Sequence, residues 1–219
     1  MSGRRLIAAT FAVLVVSAFG RTDAAEASSG YKFWNYFHGH DRGWQFAQTG
    51  AATYIPADGS VEGWRYGISD GVHGRQPRTN PDFDAICAGN PSQDGTKRVA
   101  VVIDFGVREE APEGQEPPQP IGACAVVPSG FNGQQVLEAV AQVRTDAMVC
   151  GINGYPATGC AMSTRSANIQ REPRVQLRIV PADAGSSASG AGLSGELIAL
   201  AVLIVTIGLG GVMLMRRRA

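Results

Sequence analysis

Three apolar, aromatic-rich runs lie near the start of the chain and are separated by residues typical of turns. In the first run, residues 31–38, aromatic side chains occupy both alternating faces. The second run contains Trp44, and the third contains Trp64 and Tyr66. This pattern predicts antiparallel strands of one sheet. Such a sheet is either covered on both faces or presents an exposed aromatic surface to a ligand or partner, and both interpretations stay open.

Later segments predict a central strand, a loop and a last strand. Residues 97–105, KRVAVVIDF, are β-branched and apolar without a break, as in a central strand. Residues 109–120 are rich in Pro, Glu and Gln and predict a loop. Residues 174–180 alternate in polarity and predict a closing strand.

Two stretches resemble helix starts. Asn80 and Pro81 are typical of an N-cap and a first helical residue. Asn132 and Gln135 resemble a capping box, which predicts a helix with Val136, Leu137, Val140 and Val143 on one face. The whole pattern predicts an α+β fold with a small mixed or antiparallel sheet and one or two short helices.

The two ends of the chain predict export and anchoring. Residues 1–27 have the positive start, short apolar core and small residues of a signal peptide. Residues 197–215 are uncharged and long enough for a membrane-spanning helix, and the basic tail 216–219 places the C-terminus in the cytoplasm. The extracellular domain is then 28–181, and the Gly/Ser/Ala-rich residues 182–196 form a linker. We expect a single-pass cell-membrane protein.

Charge and motifs exclude some function classes. Between Ser28 and Glu196 the chain has 13 Lys and Arg against 17 Asp and Glu, so this part carries a charge of about −4. A mildly acidic domain is a poor nucleic-acid binder, because phosphate contacts need a concentrated basic face. No common catalytic or nucleotide-binding motif is present, so the sequence does not favour an enzyme.

Four cysteines are expected to form disulfides in an exported chain. Three pairings are possible. We favour Cys150–Cys160, which closes the loop around Gly154-Tyr155-Pro156, together with Cys87–Cys124.

A weak metal-binding candidate lies in the first predicted turn. His38, His40 and Asp41 provide imidazole and carboxylate groups at short spacing. Turns favour polar residues for other reasons, so the sequence predicts no metal site. These three residues are the weak alternative.

Several motifs together resemble a known but uncharacterised family. These are FWNYFHG, GWQFAQTGA, DGSVEGWRYG, VVIDFG and the segment from Cys150 to Cys160. The chain resembles an exported, C-terminally anchored family of high-GC Gram-positive bacteria that is often encoded beside energy-coupling-factor transporters. The resemblance implies such a transporter as a partner.

The same pieces resemble, in a permuted order, the β-domain of cobalamin carriers such as transcobalamin. Those domains are β-grasp-like: a strand like VVIDFG, a helix like 134–143, an Asn-Gly hairpin like 152–155, an aromatic hairpin like 33–46 and a closing strand like 63–66. Here the aromatic strands come first. The resemblance implies a corrinoid or another tetrapyrrole as the ligand, although a permuted domain can keep a scaffold and lose its site.

The aromatic sheet and this resemblance together predict a membrane-anchored extracellular binding module, accessory to uptake of a vitamin-like, corrinoid or metal-containing ligand. The alternative is a protein–protein interaction module that docks on a transporter or another envelope protein. The residues expected to contact the ligand are Trp34, Tyr36, Trp44, Trp64, Tyr66, Asn153 and Tyr155.

Overall fold

The computed structural model describes residues 29–41, 43–165 and 169–181. The predicted signal peptide, linker, membrane span and tail lie outside the described residues. Within the described part, no helix is long and apolar enough to cross a membrane.

Within these ranges the chain forms nine strands, two short α-helices and one 3-10 turn. They are, in chain order, β1 Gly30–His40, β2 Gly43–Phe46, β3 Val61–Ser69, α1 Phe83–Ile86, β4 Thr96–Asp104, the 3-10 turn Arg108–Glu110, β5 Ile121–Pro128, α2 Gly133–Glu138, β6 Val143–Asp146, β7 Met148–Ile152, β8 Met162–Thr164 and β9 Arg178–Ile179.

One mixed sheet contains seven of these strands. Its order is β2-β1-β3-β4-β5-β9, and β8 pairs with the beginning of β1. The pairs β3–β4 and β5–β9 are parallel, and the other pairs are antiparallel. Strands β6 and β7 form a separate hairpin. The fold is therefore α+β, and the segment predicted to be a central strand is β4, in the sheet interior.

Both faces of the sheet are covered. On the first face, the aromatic side chains of β1 and β3 pack with α2 and with residues of the β6–β7 hairpin in one core. Strand register places Tyr36 opposite Trp64 and Trp34 opposite Tyr66, so the four rings form one continuous layer. The second face has a smaller core around Phe37.

The predicted capping box at the start of α2 is confirmed. Asn132 Oδ1 accepts a hydrogen bond from the Gln135 backbone N–H at 2.9 Å, and Gln135 Oε1 accepts one from the Asn132 N–H at 3.0 Å. Leu137 and Val140 are buried against the sheet. The helix ends earlier than predicted, so Val143 begins β6 instead of extending the helical face.

Helix α1 begins two residues later than the sequence indicated. Asp82, rather than Asn80, is the N-cap: its Oδ1 accepts a hydrogen bond from the Ala85 N–H at 2.9 Å. An aspartate in this position satisfies an otherwise unpaired donor of the first turn. Pro81 therefore precedes the helix and does not occupy its first turn.

Both favoured disulfides are present in the structure. Cys87–Cys124 joins the end of α1 to β5, with 4.9 Å between the Cα atoms. Cys150–Cys160 joins β7 to the following loop, with 4.1 Å between the Cα atoms.

Residues 169–181, which we call the strap, run along the sheet edge in an extended conformation. The predicted closing strand is much shorter than expected, because only Arg178–Ile179 pairs with β5. Further attachments are the Val175 N–H to Arg78 O at 3.0 Å and the Val180 N–H to Gly122 O at 2.8 Å. Leu177 packs against the second core.

Removing each disulfide should lower stability, and the loss should increase with the logarithm of the length of the loop that it closes. The sequence separations are 37 and 10 residues. Loop-closure entropy then predicts losses of about 4 kcal/mol for Cys87→Ala/Cys124→Ala and about 3 kcal/mol for Cys150→Ala/Cys160→Ala. Urea unfolding of the full-length protein measures both losses. If the Cys150/Cys160 pair cost clearly more than the Cys87/Cys124 pair, loop length would not be the controlling factor.

Candidate functional site

A row of buried polar side chains crosses three strands on the second face of the sheet. Asn35 of β1 lies opposite Arg65 of β3, and Arg65 lies opposite Asp104 of β4. All three are fully buried. Asn35 Nδ2 donates to Gly67 O at 3.0 Å, which fixes the amide against β3.

Arg65 is the centre of a buried ion-pair network. Its Nη1 donates to Tyr66 O at 2.9 Å and lies 3.6 Å from Asp104 Oδ1. Its Nη2 contacts Glu110 Oε2 at 3.4 Å and pairs with Glu172 Oε2. A buried guanidinium keeps its charge, so its carboxylate partners must be close.

Two further arginines complete the network from the loop that follows β3. Arg78 Nη2 pairs with Asp104 Oδ1 at 2.7 Å, and Arg78 Nε with Oδ2 at 3.0 Å, in a two-pronged arrangement. Arg75 Nε lies 2.8 Å from Glu110 Oε1, and Arg75 Nη1 lies 2.5 Å from Glu172 Oε1. The network therefore contains three arginines and three carboxylates, and it is neutral when all six are ionised.

Glycine makes room for one of the carboxylates. A Cβ at Gly67 would lie 2.7 Å from Glu110 Oε2. Glu110 comes from the 3-10 turn, in the segment that the sequence predicted to be a loop, and it is 2 % exposed. The missing side chain at Gly67 lets that carboxylate reach the arginines.

Burial and the nearby arginines have opposite effects on the pKa values of Asp104 and Glu110. Burial alone would raise the pKa of Asp104, but the charge of Arg65 and the hydrogen bonds from Arg78 outweigh it and hold that pKa below its usual value. For Glu110, burial is the stronger effect. It raises the pKa, and Arg65 and Arg75 offset only part of the rise.

A cavity of about 470 Å³ opens beside the network. One wall is the segment from Asp70 to Arg78, and the other is the beginning of the strap. Arg75, Arg78 and Glu172 link the cavity wall to the ion pairs, while Arg171 and Arg174 add positive charge. The volume lies in the range of small-molecule sites, and the lining has a basic excess.

The aromatic residues predicted to form a ligand surface lie in the core instead. They are Trp34, Tyr36, Trp44, Trp64, Tyr66 and Tyr155. None is more than 8 % exposed, so the sheet is covered and does not present these rings to solvent. Strands β1 and β3 are buried because α2 and residues of the β6–β7 hairpin cover their first face. On the second face the Trp44 ring packs over Gly63, where a Cβ would lie 2.6 Å from the indole.

A smaller concavity of about 230 Å³ still reaches three of these rings, Trp34, Tyr36 and Trp64. The hairpin residue Met148 forms part of its wall. Burial is the main cause of the raised pKa of the Tyr36 phenol, and the nearby Glu62 charge raises it further. The rim of this concavity is mostly apolar.

Asn153, the remaining predicted contact residue, is exposed and far from the arginine network in sequence. It adopts a positive φ of 50° in the turn after β7, and its Oδ1 accepts a hydrogen bond from the Gln142 N–H at 2.9 Å. Its side chain therefore ties the turn to the residue directly before β6. Tyr155 O accepts from Trp34 Nε1 at 3.1 Å, which fixes the same turn to the core.

The weak metal candidates do not come together. His38 Nδ1 lies 2.8 Å from Glu62 Oε2 in the sheet, whereas His40 and Asp41 are exposed at the end of β1. Across the described ranges, no group of three or more His, Cys, Asp or Glu side chains is arranged to hold a metal ion.

A family model, the SCO2322-like domain, matches residues 25–165. The chain belongs to the SCO2322-like family. No curated protein and no solved structure matches the chain significantly.

The match to the SCO2322-like domain includes five of the six network residues and ends before the strap. Glu172 is thus the one network carboxylate that comes from outside the matched region. The aromatic motifs that carried the sequence resemblance lie inside it.

Sequence reasoning did not find this site. The signals were two charged residues inside apolar strands: Arg65 between Trp64 and Tyr66, and Asp104 at the end of β4. Glu110 and Glu172 lie in polar loop segments, where a carboxylate is common and does not indicate a site. Only the folded structure brings them to Arg65.

Asp104→Asn should destabilise the protein by about 3–5 kcal/mol at pH 7, because Arg65 and Arg78 would lose a buried counter-charge. The folded-state pKa of Asp104 lies below its ordinary value near 4. Its contribution is therefore present above about pH 4 and is lost as the pH falls through the lowered pKa. Denaturant unfolding at pH 7 and at pH 3 measures the free energy of unfolding. The difference in this free energy between wild type and variant should be smaller at pH 3.

Asp94→Asn is the matched control, since Asp94 lies exposed in the loop before β4. It should change stability by no more than about 0.5 kcal/mol. A loss in free energy of unfolding for Asp104→Asn that is the same at both pH values would contradict the role of Asp104 as an ionised counter-charge.

Proposed function

We propose that this protein is a membrane-anchored extracellular binding module and that its ligand site is the cavity between the Asp70–Arg78 segment and the strap. The observation that carries this is the attachment of the cavity wall to a buried, charge-balanced network. Arg75, Arg78 and Glu172 belong to both. Side chains fixed in this way hold a preformed shape and charge, as binding sites require.

Binding fits the chemistry of the site better than catalysis. Each carboxylate of the network is paired with at least one arginine, and arginine does not exchange protons near neutral pH. Such groups orient and attract a ligand. The pair of Asp70 and His73, 3.2 Å apart at the cavity rim, is exposed to solvent.

The proposed ligand is a vitamin-like molecule, a corrinoid or a metal-containing compound taken up by the cell. Support comes from the strand order when the domain is traced from β4. Strands β4 and β5, helix α2 and the turn at 152–155 are then followed by the β1–β2 hairpin and by β3, which returns beside β4 and parallel to it. This order supports the proposal of a permuted β-grasp-like domain, as in the cobalamin carriers that the sequence resembles.

The site within that scaffold differs from the one expected. Because the aromatic residues are core, a ligand would meet arginine, glutamine and backbone groups in the cavity rather than aromatic faces. A corrinoid would therefore contact this protein through its polar side chains and not by stacking of the ring.

Export, anchoring and a transporter partner complete the proposal. Two disulfides are typical of a domain that folds in an oxidising compartment. The signal peptide, the span 197–215 and the basic tail would hold the domain outside the cell membrane, near an energy-coupling-factor transporter. A ligand captured there would be delivered to a neighbouring membrane protein.

A thermal-unfolding panel on the full-length protein in mild detergent tests the proposal. The probes are corrinoids, other tetrapyrroles, Co²⁺ and Ni²⁺. A ligand at 100 times its Kd adds about 2.7 kcal/mol, which should raise the unfolding midpoint by roughly 5–11 °C. Arg171→Ala, which changes the cavity wall, should weaken that shift.

Arg178→Ala is the matched control, because Arg178 is an exposed strap arginine outside the cavity lining. Equal weakening in the two variants would place the ligand elsewhere. If no probe shifts the midpoint and crosslinking in membranes captures a transporter subunit, the alternative function as a protein-docking module replaces the small-molecule proposal.

A further inference from the structure

Two arginines hold the carboxylate of Glu172 from opposite sides. Arg65 Nη2 pairs with Glu172 Oε2, and Arg75 Nη1 lies 2.5 Å from Glu172 Oε1. We call Arg65 and Arg75 the arginine clamp. Arg65 is fully buried and the Arg75 side chain is 14 % exposed, so the clamp binds its carboxylate largely out of water.

The clamp belongs to the body of the domain, whereas its carboxylate does not. Arg65 is in β3 and Arg75 is in the loop after β3, and both lie inside the region matched by the family model. Glu172 comes from the strap. Most of the strap is exposed, and the side chains of Glu172, Leu177 and Val180 turn inward.

Removing the strap carboxylate would leave an unbalanced charge. Of the three network carboxylates, Asp104 and Glu110 would remain beside Arg65, Arg75 and Arg78, so the network itself would carry an excess of one positive charge in a poorly solvated place. Because arginine cannot relieve this by losing a proton, the site requires an anion. Two guanidinium groups that each contact one oxygen of the same group match a carboxylate, which is the group that Glu172 places there.

We infer that the arginine clamp is a carboxylate-binding site, that Glu172 fills it as an internal ligand, and that a small carboxylate entering the adjacent cavity takes the place of Glu172. The inference rests on the proposed binding site, because Arg75 and Glu172 lie in the wall of that cavity. It assigns the ligand class of the site: a small molecule that bears at least one carboxylate.

Chemical rescue of an emptied clamp tests this inference. Glu172→Ala removes the internal ligand from the full-length protein, and sodium acetate is then titrated against sodium chloride at equal ionic strength. Acetate should raise the unfolding midpoint of the variant saturably, by roughly 3–6 °C at ten times its Kd, beyond any effect of chloride. Wild type should respond much less, since its tethered Glu172 competes at high effective concentration.

Leu177→Ala is the matched control, because it loosens an apolar anchor of the strap and leaves the clamp occupied. It should show no acetate-specific rise. The double variant Glu172→Ala/Arg75→Gln, which lacks one side of the clamp, should lose the rescue. An acetate effect as large in Leu177→Ala as in Glu172→Ala, or none in Glu172→Ala, would overturn the inference.

If Glu172→Ala is unfolded in chloride, the same titration is followed by circular dichroism. Recovery of the folded signal with acetate but not with chloride supports the inference, and no recovery overturns it. The outcome is separable from the proposed function. A panel ligand that binds wild type while rescue fails removes only the carboxylate assignment. Rescue without a panel ligand supports the carboxylate class and rejects those panel ligands.

Discussion

A charged side chain with no access to water lies at the middle of this domain, and the surrounding segments supply its counter-charges. Arg65 lies on a central strand between two hydrophobic cores. Its burial requires Asp104 on the next strand, Glu110 on a 3-10 turn and Glu172 on the strap. Glu110 and Glu172 in turn attach the 3-10 turn and the strap to the sheet.

The same network explains why the cavity is found at this end of the sheet. On the first face the strands are packed by α2 and aromatic rings, and on the second by α1 and a disulfide. Where the polar row ends, packing by apolar side chains gives way to ion pairs between loops. Loops joined by directional contacts leave space that close-packed aliphatic side chains would fill, and that space has charged walls.

Sequence patterns predicted the elements whose cause is local. The β-branched run of β4, the capping box at Asn132 and the two disulfide loops could each be read from a few neighbouring residues. Predictions were less successful where a choice depends on distant contacts. The N-cap at Asp82 replaced Asn80, and the predicted last strand shrank to Arg178–Ile179, since the Val175 N–H bonds to Arg78 O in a distant loop and not to β5.

The aromatic residues show why the site could not be predicted from sequence alone. An apolar strand face looks alike in sequence whether a ligand or a helix covers it, and here α2 and residues of the β6–β7 hairpin cover it. The candidate site instead depends on Arg65, Arg75, Arg78, Asp104, Glu110 and Glu172, which are up to 107 residues apart. The embedded charges of Arg65 and Asp104 were the one local sign that these strands carried something other than core.

A double-mutant cycle between Arg75 and Glu172 tests most directly whether the strap is held by this network. The free energy of unfolding is measured for wild type, Arg75→Gln, Glu172→Gln and the double variant. The account predicts a coupling energy of about 1–3 kcal/mol, because the two groups share one partly buried network. If the losses instead add within about 0.5 kcal/mol, the strap carboxylate is not coupled to the arginines and the site described here does not exist as a unit.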